Sequence, residues 1–189
     1  MTKLFRLSLT LPLFAVFAAT ADIATLDHSA DQEAMLRQVA EQDRRLRANP
    51  KDARAYLARG EAHFKLRDFE RATADFTHAI RLDSKLDDAY FGRGMARGRG
   101  GEIDAGIADL GVYIKRNPKS SLAYTKRGIR YLWKGDVENA ERDFRQALTL
   151  DPNNAEAHDD LGVILAQRGE YGAALTHFQA TVSADPTYQ

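Results

Sequence analysis

Between residues 53 and 188 the apolar and polar positions recur in blocks of thirty-four, with no insertion or deletion. The phrase "AYLARG" at Ala55–Gly60 returns as "AYFGRG" at Ala89–Gly94, "AYTKRG" at Ala123–Gly128 and "AHDDLG" at Ala157–Gly162. Each block has two halves of helical length. The first half carries a glycine at one shared position: Gly60, Gly94, Gly128 and Gly162. The second carries a small residue (Ala72, Gly106, Ala140, Ala174) and, four residues on, a large apolar one (Phe76, Leu110, Phe144, Phe178). Small residues at fixed places let two helices approach closely, and the large residue fills the seam between them. "RDF", "GEI", "GDV" and "GEY" divide the halves, while "LDSK", "RNPK", "LDPN" and "ADPT" stop the second. A fixed period in this range signals stacked helix pairs. The units are 53–86, 87–120, 121–154 and 155–188.

This register of small, aromatic and proline positions resembles the tetratricopeptide repeat. The resemblance implies an all-α fold, an α-solenoid whose antiparallel helix pairs stack into a right-handed superhelical arc. It also implies that the first helix of each pair lines the concave side. The first unit departs from the pattern at Ser84, where the others have proline. Residues 22–52 read as a linker and an N-terminal capping helix over 29–48. Ser29 and Gln32 form a capping-box signature there, Met35, Leu36, Val39 and Leu46 an apolar stripe, and "NPKD" a stop. Members of the family usually add a polar-faced helix at the C-terminal end, whereas only three residues follow Pro186. A partly uncovered face around Ala174, Leu175, Phe178 and Val182 is therefore expected, and with it a self-associating module, here a homodimer. A partner's helix, or the next helix of a longer chain, is the alternative cover.

The first residues follow another pattern. "MTKLFR" is cationic, "LSLTLPLFAVFAA" is apolar all round, and Ala19-Thr20-Ala21 offers small residues at the spacing a signal peptidase reads. Residues 1–21 read as a signal peptide cleaved after Ala21, which sets the chain in the periplasm or outside the cell of a bacterium. A retained membrane anchor is the alternative. With no cysteine in the chain, lipid attachment at an N-terminal cysteine, disulfides and thiolate metal sites all drop out. The 27 cations equal the 27 anions, so no global charge draws the chain to nucleic acid. With 44% hydrophobic and 29% charged residues it is neither a disordered chain nor a polytopic membrane protein.

The arginine in the recurring phrase is the exception to an apolar position. Arg59, Arg93 and Arg127 give way to Leu161, and sixteen residues after each stand Asp75, Asp109, Asp143 and then His177. The two positions change together, which points to contact between paired helices and to a structural ion pair. Candidate chemistry is otherwise thin. The histidines His28, His63, His78, His158 and His177 form no metal-binding spacing. "HDD" at His158–Asp160 would serve an enzyme only as a shallow polar site, because consecutive helix residues point apart. "GRGMARGRGG" from Gly92 lacks the spacing and strand of a phosphate loop. No catalysis, metal or cofactor is expected. The glycines from Gly92 to Gly111 predict that the second unit is the least stable link.

What remains is the groove. Carried over position by position, the resemblance places Leu57, Glu61, Phe64 and Lys65 of the first unit on the concave surface, with Phe91, Met95 and Arg99 of the second. Thr125, Ile129, Leu132 and Trp133 follow from the third, and Asp159, Val163 and Gln167 from the fourth. A near-continuous apolar stripe rimmed by charge suits a helix or extended peptide of a partner protein. Glu61, Gly92 and Met95 stand where some family members hold chaperone tails with polar clamp groups, which argues against that role. The expected function is a non-catalytic scaffold for a protein or peptide, in assembly of a cell-envelope complex.

Overall fold

The computed structural model describes the backbone of residues 14–185 and 187, with side-chain surroundings from Ser29 onward. Nine helices occur among the described residues: α1 (Phe14–Ala48), α2 (Ala53–Lys65), α3 (Phe69–Leu82), α4 (Asp87–Arg99), α5 (Ile103–Arg116), α6 (Ser121–Lys134), α7 (Val137–Leu150), α8 (Ala155–Gln167) and α9 (Tyr171–Ala184). The fold is an all-α solenoid. Successive helices pack on one another, and the first helices of the pairs also touch in the order α2, α4, α6, α8. No such contact joins α3, α5, α7 and α9 among the described residues. The first helices therefore form the inner row of an arc and the second helices its splayed outer row.

Local chemistry sets the helix ends. Asp52, Ser120 and Asn154 start α2, α6 and α8 by accepting from the backbone N–H three residues on, at 2.9, 3.2 and 2.9 Å. Asp68 and Asp136 do the same for α3 and α7. Between the paired helices one residue takes a left-handed conformation. It is Gly101, Gly135 or Gly169 (φ 94°, 83°, 80°) in three units, but Arg67 (φ 62°) in the first.

The recurring glycine lies under the recurring large residue. A β-carbon at Gly128 would come 2.7 Å from the Phe144 ring, and one at Gly162 2.6 Å from Phe178. The second unit is tighter still. A β-carbon at Gly106 would come 2.8 Å from the Gly94 carbonyl and 2.9 Å from the Gly98 nitrogen, so α4 and α5 nearly touch backbone to backbone. Gly94 and Gly106 are requirements of that approach rather than slack.

Two expectations for the N-terminal helix are corrected. α1 runs over Phe14–Ala48, so Ser29 lies inside a helix rather than at its N-terminus. The physical reason is that alanine-rich sequence follows Pro12 with no glycine or proline to stop helix growth. In the expected apolar stripe Leu46 is buried and Met35 and Val39 are half-buried, but Leu36 is 52% exposed. α1 takes the place of a preceding second helix. Arg59 Nη1 donates to Asp43 at 2.6 Å, just as Arg93 Nη1 reaches Thr77, its equivalent one unit later, at 3.4 Å. Gln42, the equivalent of Phe76 one unit earlier, is buried with its side-chain oxygen unpaired. Of the expected leader, Phe14–Ala21 is helical and residues 1–13 lie outside the described residues. No described helix is long and apolar enough to cross a membrane.

Candidate functional site

The arginines belong to the seams. Arg59 donates through Nε and Nη2 to Asp75 at 2.9 and 2.7 Å, Arg93 to Asp109 at 2.8 and 2.7 Å, and Arg127 to Asp143 at 2.7 and 2.8 Å. All three aspartates are buried. Each guanidinium also lies over the tyrosine three residues before it, Tyr56, Tyr90 or Tyr124, at 5.4 to 5.7 Å. Bonding to Asp75 and Asp143 raises Arg59 and Arg127 above the ordinary arginine range, keeping them charged. In the second unit Arg97 adds a further bond to Asp109 at 2.8 Å. The fourth unit replaces this clasp with two histidines. His158 Nε2 donates to the Pro152 carbonyl at 3.0 Å, which leaves its Nδ1 to accept from His177 Nδ1 at 2.8 Å.

The inner row places the other candidates. Val163 and Trp133 stand 40% and 48% exposed, and Glu61, Lys65, Arg99 and Gln167 are exposed too. Leu57, Phe64, Phe91, Ile129, Leu132 and Asp159 are half-buried. Arg99 lies over the Phe64 ring at 5.9 Å, and Phe91 meets Tyr113 of α5 at 5.1 Å.

Two assignments fail. Thr125 is fully buried, its hydroxyl donating to the Ser121 carbonyl and accepting from Asn154 at 2.9 Å, so it ties α6 to the start of α8. Met95 is buried between α4 and α6, against Arg130. Sequence reasoning also missed two residues of this surface. Leu122, 51% exposed, lies on the face of α6 that carries Lys126, Ile129 and Trp133. Arg130 is buried below Trp133, its guanidinium 4.6 Å from the indole. Both could have been found as departures within their own column. The other units have Arg54, Asp88 and Glu156 in place of Leu122, and Ala62, Ala96 and Ile164 in place of Arg130.

Charge varies along the row. Although the residue is exposed, partial desolvation of its carboxyl, then the charge of Asp88, raises Glu61. Burial, then Glu156 and Asp159, pushes Asp160 up to about 6. Lys126 donates to Glu156 at 2.6 Å. His158 is turned to His177 rather than to these acids, and no group of three His, Asp or Glu among the described residues could hold a metal ion. At the last helix the expected exposed face is corrected in part. Ala174 is buried and Phe178 is half-buried against Gly162, whereas Leu175, Val182 and the unforeseen Tyr171 are 57%, 60% and 72% exposed.

Comparison with known proteins agrees with this geometry. Family models described as tetratricopeptide repeat match residues 53–86, 88–120 and 125–188. No curated protein matches. Among solved structures, a fragment of MamA from Desulfovibrio magneticus superposes with a TM-score of 0.74 at 18% identity, over 95% of this chain and 99% of that one. Another MamA structure gives 0.73 at 21% identity, covering 78% and 86% of the two chains. YrrB, described as a TPR protein with an unusual peptide-binding site, gives 0.68 at 20% identity over 88% and 85%. At these identities the likeness is one of fold.

Proposed function

The chain belongs to the tetratricopeptide repeat family, and on that premise we propose that it is a non-catalytic scaffold binding a peptide or helix of a partner protein in its concave groove. The observation that carries this reading is the apolar surface left open on the inner row: Leu122, Trp133 and Val163, each 40% exposed or more. Rigid stacked helices hold these side chains in place before binding, so little order is lost on association. YrrB, a protein of similar fold, is described as having an unusual peptide-binding site, which supports a peptide as the kind of ligand. Substituting Trp133→Glu and Val163→Glu together puts charge on this surface without touching the Arg–Asp clasps. In crosslinking pull-downs, partners held by the groove are lost with that variant and kept with Arg142→Glu on the outer row. Equal recovery with both variants contradicts the reading.

The leader read at residues 1–21 supports a periplasmic or secreted setting, and hence work in assembling an envelope complex. An N-terminus at Asp22 in protein isolated from its own cell is the expected result; retention of residues 1–21 favours anchoring instead. A second reading, self-association, is favoured by the exposed Tyr171, Leu175 and Val182 on α9.

A further inference from the structure

Arg130 is 1% exposed, and no carboxylate among the described residues pairs with it. Its Nε has no partner. Nη1 and Nη2 reach only the Lys126 and Met95 carbonyls, at 3.4 and 3.5 Å, and the Met95 sulfur at 3.3 Å. Gly98 makes room for it, since a β-carbon there would come 2.5 Å from Nε. A guanidinium buried without a counter-charge is strongly unfavourable. Burial, with Arg99 adding to it and the more distant Glu156 only partly opposing, pushes Arg130 down to about 10, which leaves it charged at neutral pH. Among the described residues Arg99 pairs with no carboxylate and has the Phe64 ring beneath it. An exposed cation, Arg99, and a buried one, Arg130, thus lie near each other where α4 meets α6, and the half-exposed Trp133 covers the buried one.

We propose that this part of the groove takes an acidic side chain of the bound protein segment, its carboxylate accepting from Arg99 and, once the Trp133 indole turns aside, from Arg130. The inference rests on the groove-binding reading above. The flanks select a peptide over a polyanion. Glu61 on α2, with Asp88 near it and Lys65 beside it, lies on one side, and Asp159 and Asp160 on α8 lie on the other. A nucleic acid laid along the row would meet acids on both sides, whereas a segment with one acid between apolar and basic residues matches the sequence of charges.

The test is selection of about twelve-residue displayed peptides on the full chain, in parallel with Arg130→Met and with Arg99→Gln, each variant first checked for its helical spectrum. Arg130→Met keeps the volume and drops the charge; Arg99→Gln serves where that core change disturbs folding. The expected peptides carry a central Asp or Glu among apolar residues. Replacing that acid by Asn or Gln weakens binding about tenfold, read from the fluorescence of the single tryptophan, and both variants reduce that preference to about twofold or less. Peptides bound at Trp133 with no enrichment in a central acid overturn the acidic subsite and leave groove binding standing. Failure to select any peptide whose binding depends on Trp133 or Val163 overturns both. An oligothymidine strand binding more tightly than the selected peptides overturns the choice of partner.

Discussion

Arg127 holds a charge in a seam that the fourth unit fills with Leu161, and the two solutions can be exchanged only with all their parts. Arg127→Leu alone leaves Asp143 buried without its partner, at an expected loss of about 3 kcal/mol. Because His177 bonds to His158, Arg127→Leu with Asp143→His is incomplete, and adding Tyr124→His supplies the missing acceptor. Chemical denaturation of the single, double and triple variants should show most of the loss recovered only in the triple. Additive losses would mean that these side chains act independently. Titration gives a second check. Burial, with His158 and Arg145 adding to it, lowers His177 below its ordinary 6.5. The unfolded chain then binds the extra proton, so this contribution is present above 6.5 and is lost as pH falls through the folded value. Asp160 has the opposite sign. It is raised from 3.8 to about 6, so its contribution is full below 3.8 and is lost as pH rises through about 6. Asp160→Asn should therefore unfold at higher temperature than wild type near pH 8, by at most about 2 kcal/mol of stability, with the gap closing toward pH 4. His177→Gln should flatten the acid-side decline. A gap that widens on acidification would contradict the assignment for Asp160.

The two helices of each pair are joined through a left-handed residue, and Arg67 alone departs from glycine there. Arg67→Gly relieves that conformation and should raise stability by about 1 kcal/mol in thermal unfolding. No gain would mean that Arg67 adopts this backbone without strain. Gly106 is the reverse case. Alanine inside a helix ordinarily gains about 1 kcal/mol over glycine, yet a β-carbon here meets the Gly94 carbonyl and the Gly98 nitrogen. Gly106→Ala should therefore lose about 1 kcal/mol or more in net stability, while Gly172→Ala, with nothing within 4 Å, should lose none. Fold class and helix pairing were legible because small and large residues recur in a fixed register, and each unit repeats the same packing problem. What occurs only once was not legible. The upstream growth of α1 depends on the absence of a stop, which a cap signal at Ser29 disguised. The partner of His177 lies on another helix at a position that elsewhere holds tyrosine. Thr125 sits where the resemblance expects a groove residue, but its hydroxyl is taken up by Asn154. Arg130 is hidden by Trp133, which no periodicity reports.

Across the whole molecule the inner row of first helices and the outer face of α9 offer two surfaces of different character. Tyr171, Leu175 and Val182 project from α9, and concentration-dependent association in sedimentation is the expected outcome. Leu175→Glu should weaken it while leaving the fold intact, whereas Phe178→Glu should damage the fourth unit itself, because that ring packs on Gly162. A monomer at every concentration would contradict association through this face. The groove carries the central claim, and the cations Arg99 and Arg130 lie between acids on either side, Glu61 and Asp88 (with Lys65 beside Glu61) and Asp159 and Asp160. The most direct test is position-resolved photocrosslinking in the native cell. A photoreactive residue is placed in turn at Leu122, Trp133 and Val163 on the inner row, and at Arg142 and Thr149 on the outer. Adducts to one discrete protein from the inner positions alone are the result this account predicts. Adducts from the outer positions as strong as from the inner ones, or from the outer positions only, would contradict it.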